Sequence, residues 1–179
     1  MKKMVDAFDY AGDICKAMKK GILLTTTGNG QINTMTIGWG MLGIEWGKPI
    51  FIALVRESRH TRSLLDESGE FTVNIPMGDL DGNILGFCGT KSGRDVDKIQ
   101  SLGLTLEEPL SVHVPGIRQL PLTLECKVLM RQKQDLAQLP EEILKKYYPQ
   151  SIDGSAPGKN RDFHIAYYGE IVNAYLIED

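Results

Sequence analysis

The sequence lacks most of the devices that hold a small protein together or make it reactive. Its three cysteines, Cys15, Cys88 and Cys126, are odd in number, widely separated and without C-x-x-C spacing. That argues against a disulfide framework or a zinc site and fits a reducing cytoplasm. The histidines His60, His113 and His164 show no H-x-x-x-H spacing, and there is no G-x-S-x-G nucleophile elbow. No apolar run approaches the roughly 20 residues of a membrane span. The N-terminal segment acquires Asp6 and Asp9 where a signal peptide needs an apolar core. A soluble cytoplasmic protein without membrane attachment is therefore expected. Charge of one sign is also missing: 20 Lys+Arg against 23 Asp+Glu leave a formal net charge of -3, so no global basic field is available for nucleic acid. With neither an acid–base constellation nor a metal set, any enzyme built on this chain needs a cofactor to carry its chemistry.

What is present starts with enough apolar content for one core: 42% of 179 residues, which predicts a single domain over residues 1–179. The most distinctive stretch is 33–47, N-T-M-T-I-G-W-G-M-L-G-I-E-W-G. Read as a strand, it places Met35, Ile37 and Trp39 on one bulky face and Thr34, Thr36 and Gly38 on a small, hydroxylated one. A face so poor in bulk suggests that a flat ligand packs along the backbone there. Gly38, Gly40 and Gly43 satisfy G-x-G-x-x-G, but a dinucleotide turn must open into a helix, and the β-rich run after Lys48-Pro49 leaves no room for one. The glycines are read instead as points of close backbone approach to the ligand. Trp39, on the bulky face, is expected in the core.

The remaining segments predict an antiparallel barrel with short helices. A helix is expected over residues 7–20, then a strand at 21–27, a turn at 28–30 and its partner at 31–39. The run 49–55 reads as a central strand delivering the chain to R-E-S-R-H-T-R, where arginine forks, Ser58, Thr61 and a following helix N-terminus suit a phosphate monoester. A solvated basic turn is the plainer alternative; its place directly after the glycine-rich stretch and the strand favours phosphate. Strands are also expected at 69–75, 122–133 and 163–177, the last with a bulge at Gly169. Helices are expected after Asp79 as N-cap and after Pro140. Residues 88–99 form a polar loop leading into a short helix, and 150–161 a flexible loop near a site mouth or interface. Cys88 reads as a small packing residue rather than a reactive thiol, and His113 as a strand residue.

Four ordered motifs, N-T-M-T-I-G-W-G-M-L-G-I-E-W-G-K-P, V-R-E-S-R-H-T-R, G-E-F-T-V-N-I and S-G-R-D-V-D-K-I, resemble the flavin reductase family, including flavoredoxin-like proteins. The resemblance implies a mainly β fold, an antiparallel Greek-key split β-barrel with short peripheral helices. It implies FMN at a homodimer interface, reduced by NADH, NADPH or another electron donor, with electrons passed to flavin, a partner protein or another acceptor. Carried over by position, Thr34, Met35, Thr36, Gly38 and Trp39 would wall the isoalloxazine ring. Ser58, Arg59 and Thr61 would hold the phosphate, and Cys88, Lys91 and Ser92 would approach the cofactor or the dimer partner. Many members have serine where this chain has Gly38 and tyrosine where it has His60. No protein nucleophile is implied, since the flavin carries the chemistry. The leading expectation is an FMN-dependent, NAD(P)H-linked flavin oxidoreductase. The alternatives are a non-catalytic FMN electron carrier and an FMN enzyme with its own organic substrate.

Overall fold

In the computed structural model, which describes residues 1–152 and 161–178, the chain opens with a short strand, β1 (Lys2–Met4). The helix expected over residues 7–20 is broken in two. Asp6 caps a 3-10 turn, Ala7–Tyr10, by accepting from the Phe8 amide, and Tyr10 leaves helical geometry before α1 (Ala11–Met18) begins. α1 buries Ile14 and Met18 against the core, as its apolar spacing requires. Gly21, at φ +118°, then turns the chain sharply into the sheet.

Two hairpins follow. β2 (Ile22–Gly28) and β3 (Gln31–Ile37) are joined by Asn29-Gly30, and β4 (Gly40–Glu45) and β5 (Lys48–Arg56) by Trp46-Gly47. Both central residues of each turn have positive φ, the geometry that matches the twist of paired strands. The expected strand 31–39 therefore ends at Ile37, and a strand was missed at Gly40–Glu45 because its glycines read as bends. Their role is steric: a Cβ on Gly40 would lie 2.8 Å from the Ile52 carbonyl oxygen and 3.1 Å from the Phe51 ring. Gly40 lets β4 lie close against β5 rather than against a ligand.

The turn after β5 leads into α2 (His60–Ser68), closed by left-handed Gly69, and then β6 (Glu70–Ile75). β6 is buried on both faces. Phe71, Val73 and Ile75 enter the apolar core, while Thr72 donates to the Pro115 carbonyl and Asn74 joins Thr25 and Thr123 in a buried polar ladder. α3 (Gly82–Thr90) is capped by Asp81, not Asp79, because the Asp81 carboxylate accepts from the Asn83 amide. α4 (Lys98–Leu102) is capped by Asp97 and ends at Gly103. A small pair, β7 (Leu106–Glu107) and β8 (Gly116–Ile117), was not anticipated, and His113 lies outside any strand, its ring exposed beside Glu70.

β9 (Leu122–Lys133), α5 (Glu141–Tyr147) and β10 (His164–Ile177) complete the chain. All pairings are antiparallel, in the order β3-β2-β6-β9-β10-β5-β4, with β1 on the far end of β10. The sheet curls around a core that includes Phe51, Phe71, Leu124 and Tyr167. β3 and β4 end the order without pairing to each other, so the barrel is split. The ladder between β10 and β9 shifts register between Tyr168 and Gly169. A Cβ on Gly169 would lie 2.4 Å from the Phe71 ring, so glycine at this bulge makes room for Phe71 of β6, two strands away in the sheet order. The loop expected over 150–161 lies mostly outside the described residues.

Candidate functional site

The free edge of β3 forms one wall of a cleft of about 300 Å³. A two-residue turn makes Gly28 and Gln31 a hydrogen-bonded pair, and alternation along the ladder then leaves the peptide groups of Thr34 and Thr36 facing out of this edge. The Thr34 carbonyl is taken by Lys98 Nζ at 2.9 Å, which also donates to the Cys88 carbonyl at 3.0 Å. Lys98 is only 4% exposed, and burial and the neighbouring Arg59 push its pKa down. It pins both β3 and the end of α3 to one point.

The turn from β5 to α2 forms the second wall. Arg56 is buried, donating to the carbonyls of Asp162 and Tyr147, and lies 3.9 Å from the Asp162 carboxylate. That carboxylate also accepts from the Ser58 amide at 2.9 Å, which stiffens the turn and uses up that N–H. α2 starts with Arg59 as N-cap and without a side-chain cap; the Arg62 amide bonds the Arg59 carbonyl, and the His60 and Thr61 amides have no protein acceptor among the described residues. The Thr61 hydroxyl accepts from Asn33 Nδ2 at 2.8 Å, leaving its own proton for a further partner.

The loop after α3 closes the third side with Lys91, Ser92, Gly93 and Arg94. Arg94 donates to the Ser58 carbonyl at 3.3 Å. Lys91, Arg94, Lys98, Arg56 and Arg59 all line the cleft, and no carboxylate does so among the described residues. Burial and the cations Arg94 and Lys98 keep His60 below its usual pKa, so its imidazole stays neutral near pH 7. At the opposite end Trp39 lies edge-on to Tyr147 and 4.9 Å from His164. His164 is buried, its Nδ1 2.8 Å from the Tyr148 hydroxyl, and burial with nearby Arg56 pushes its pKa down to about 3. One end of the cleft gathers most of the cations; the other is aromatic, with Arg56 over the Tyr148 ring at 5.0 Å.

The structure brings Met35, Thr36, Gly38, Trp39, Ser58, Arg59, Thr61, Cys88, Lys91 and Ser92 to this cleft. Thr34 is the exception. Its side chain is fully buried toward β2, its hydroxyl meeting Thr25 at 3.1 Å and the Leu24 carbonyl at 3.3 Å. The Thr36 hydroxyl donates to the Leu85 carbonyl, holding α3 against β3. The expected hydroxyl wall is therefore a wall of backbone edge and aliphatic atoms. Gly40 and Gly43 do not line the cleft, and Trp39 is 37% exposed at its rim instead of in the core. Burial pushes the Cys88 thiol up to about 11, so it is a protonated packing group.

A family model described as "Flavin reductase like domain" matches residues 15–179. The chain belongs to this family. Curated relatives include an uncharacterized protein of Archaeoglobus fulgidus, 34% identical over 106 residues that make up 59% of each chain. Uncharacterized protein YddH of Escherichia coli is 31% identical over 54% of this chain and 51% of its own. The matched region thus spans between half and three-fifths of those relatives. Among solved structures, the flavoredoxin of Methanosarcina acetivorans has a TM-score of 0.62 and 25% identity, over 88% of this chain and 68% of that one. The flavoredoxin of Desulfovibrio vulgaris (TM-score 0.63, 21% identity) covers 88% and 69%. An FMN-binding domain from Shewanella baltica (TM-score 0.62, 17% identity) covers 98% and 77% and shares the fold.

In this member of the flavin reductase-like family, sequence reasoning left Asn33, Gly93, Lys98 and His164 without a site role. Their contributions come from contacts between segments as far apart as Thr34 and Lys98 or Trp39 and His164, and no local periodicity signals them.

Proposed function

We propose that the cleft holds FMN and that the protein is an FMN-dependent oxidoreductase. The observation that carries this reading is the charge pattern: a cleft with five Lys/Arg side chains and, among the described residues, no carboxylate opens along a free strand edge beside a helix N-terminus without a side-chain cap. A phosphate monoester brings nearly two negative charges and several strong acceptors, which suits Arg59, the Thr61 hydroxyl and the first-turn amides of α2. The edge of β3, with Met35, Thr36, Gly38 and Trp39, suits a flat ring with polar atoms on one margin. Bound FMN supplies hydride and electron transfer. The chain orients it, offers outward-facing peptide groups at Thr36, and keeps His60 and His164 neutral so that neither adds a proton-dependent charge. The buried Lys98 ammonium adds a fixed positive potential that favours negative charge developing nearby.

Structural relatives include flavoredoxins and an FMN-binding domain, which supports the same reading for this chain. NADH or NADPH is the donor in the leading form of the proposal. Homodimerisation belongs to it as well: Met41, Ile44 and Trp46 on the β4–β5 hairpin, with Leu129 and Met130 on β9, leave large apolar side chains exposed. The test is the visible spectrum of the purified protein, followed by titration with FMN and anaerobic addition of NADH and then NADPH. Saturable FMN binding with bleaching by one nucleotide is expected. Binding without bleaching by either would leave an FMN electron carrier served by a protein donor, and absence of FMN binding would overturn the reading.

A further inference from the structure

A second cavity lies against the cationic end of the cleft. This cavity, of about 440 Å³, is lined by Gly30, Gln31 and Ile32 of the β2–β3 hairpin and by Asp95, Val96 and Asp97 of the segment between α3 and α4. Asn33, Gly93, Arg94 and Lys98 line both spaces, so they form the partition. The partition is tight: a Cβ on Gly93 would sit 2.2 Å from Asn33 Oδ1 and 3.0 Å from His60 Cδ2. Only glycine lets the backbone come that close to both the β3 edge and the start of α2.

Three tethers keep the crossing segment in place. Asn33 is held by its bond to Thr61 at 2.8 Å, Arg94 reaches the Ser58 carbonyl, and Lys98 binds the carbonyls of Thr34 and Cys88. Positive charge is offset across the partition. Among the described residues the cleft side has cations and no carboxylate, whereas the far cavity adds Asp95 and Asp97, which balance the shared Arg94 and Lys98. A terminal phosphate fits the first environment. A phosphate esterified onward in the direction of the partition would meet the Gly93–Asn33 contact and, beyond it, two carboxylates.

We propose that the Asn33–Gly93–Arg94 partition makes this site selective for a flavin mononucleotide over a flavin adenine dinucleotide. The proposal rests on the flavin reading of the cleft and adds to it a determinant of cofactor length. Selectivity here is exclusion of the longer ligand by packing and repulsion, rather than extra attraction for the shorter one.

The test is fluorescence titration of the full chain with riboflavin, FMN and FAD. The wild type is expected to bind FMN about 100-fold more tightly than FAD. Asn33→Ala combined with Arg94→Ala removes two parts of the partition and should lower the FMN-to-FAD preference about tenfold, whatever happens to FMN affinity itself. Should that pair fail to fold by circular dichroism, Arg94→Ala alone removes an exposed tether and should lower the preference about threefold. Equal wild-type affinity for FMN and FAD would overturn the partition while leaving the flavin reading intact. A preference unchanged in a folded variant would do the same. Failure of the wild type to bind any of the three flavins would overturn both.

Discussion

The two hairpins are built alike and finished differently. Each uses a two-residue turn with positive φ at both positions, and each leaves an edge strand at one end of the sheet order. The β3 edge is covered by polar chemistry: Lys98 on the Thr34 carbonyl, Asn33 on Thr61, and the cationic cleft in front. The β4 edge carries Met41, Ile44 and Trp46, which are 50%, 74% and 53% exposed. An unpaired edge needs a manager. In the first hairpin it is a buried ammonium and a cationic cleft; in the second it is exposed apolar bulk, where the proposed dimer would form. The Trp46 turn strengthens the contrast, because a bulky residue at φ +52° is strained where Asn29 at φ +49° is comfortable. Trp46 therefore sits in its turn at a conformational cost that its apolar surface must offset.

The largest expected effect separates the first hairpin's cleft from everything else. Arg59→Ala with Thr61→Ala should weaken FMN binding about 100-fold and leave riboflavin binding nearly unchanged, because two charge-assisted or hydroxyl contacts to phosphate are lost. Parallel loss for both ligands in calorimetric titration would break the assignment of the cationic end to phosphate. Next, Lys98→Met should destabilise the fold by about 1–3 kcal/mol in urea denaturation, since two carbonyls lose their donor in a buried site. No change would mean that the β3 edge does not depend on its ammonium. On the second hairpin, Ile44→Asp should raise the dimer dissociation constant about tenfold by sedimentation, with FMN affinity falling only as dimer is lost. A monomeric wild type at high concentration would remove the protein-interaction half of the comparison.

The pH dependence involves His164, between the aromatic rim and the β5 pairing. Its folded pKa, about 3, lies below the ordinary value of 6.5, chiefly through burial. Between those values the unfolded chain binds the extra proton, so its contribution to stability is complete above pH 6.5 and is lost as pH falls toward 3. His164→Gln should flatten the stability profile below pH 6.5 by up to about 1.4 kcal/mol per pH unit. A slope identical to wild type would show that the ring is not held neutral. The smallest effect belongs to the strained turn: Trp46→Asn should stabilise the monomer by up to about 1 kcal/mol while weakening the dimer.

Much of the framework was legible because it is local. The bounds of β9 coincide with the alternation over 122–133, and the bulge at Gly169 and the helix end at Gly69 followed from single glycines in periodic segments. Arg59 and Thr61 could be placed at a helix start because three arginines and two hydroxyls surround it in seven residues. The misreadings came where a residue serves a distant partner. Gly40 resembled a ligand-approach glycine but accommodates Ile52 and Phe51, and the threonine face turned partly inward, with Thr34 bonded to Thr25. Trp39 followed a core periodicity that stops at Ile37, where the strand ends.

By itself the sequence determined the antiparallel, mainly β character, the first hairpin and the cationic turn after β5, because turn chemistry, period-two patterning and charge clustering act within a few residues. Tertiary structure alone decided which edge stays open and how Lys98 bridges Thr34 and Cys88. It also decided that Gly93 closes the cationic end against Asn33 and His60. These depend on strand order and on contacts between segments far apart in the chain, which no local pattern encodes.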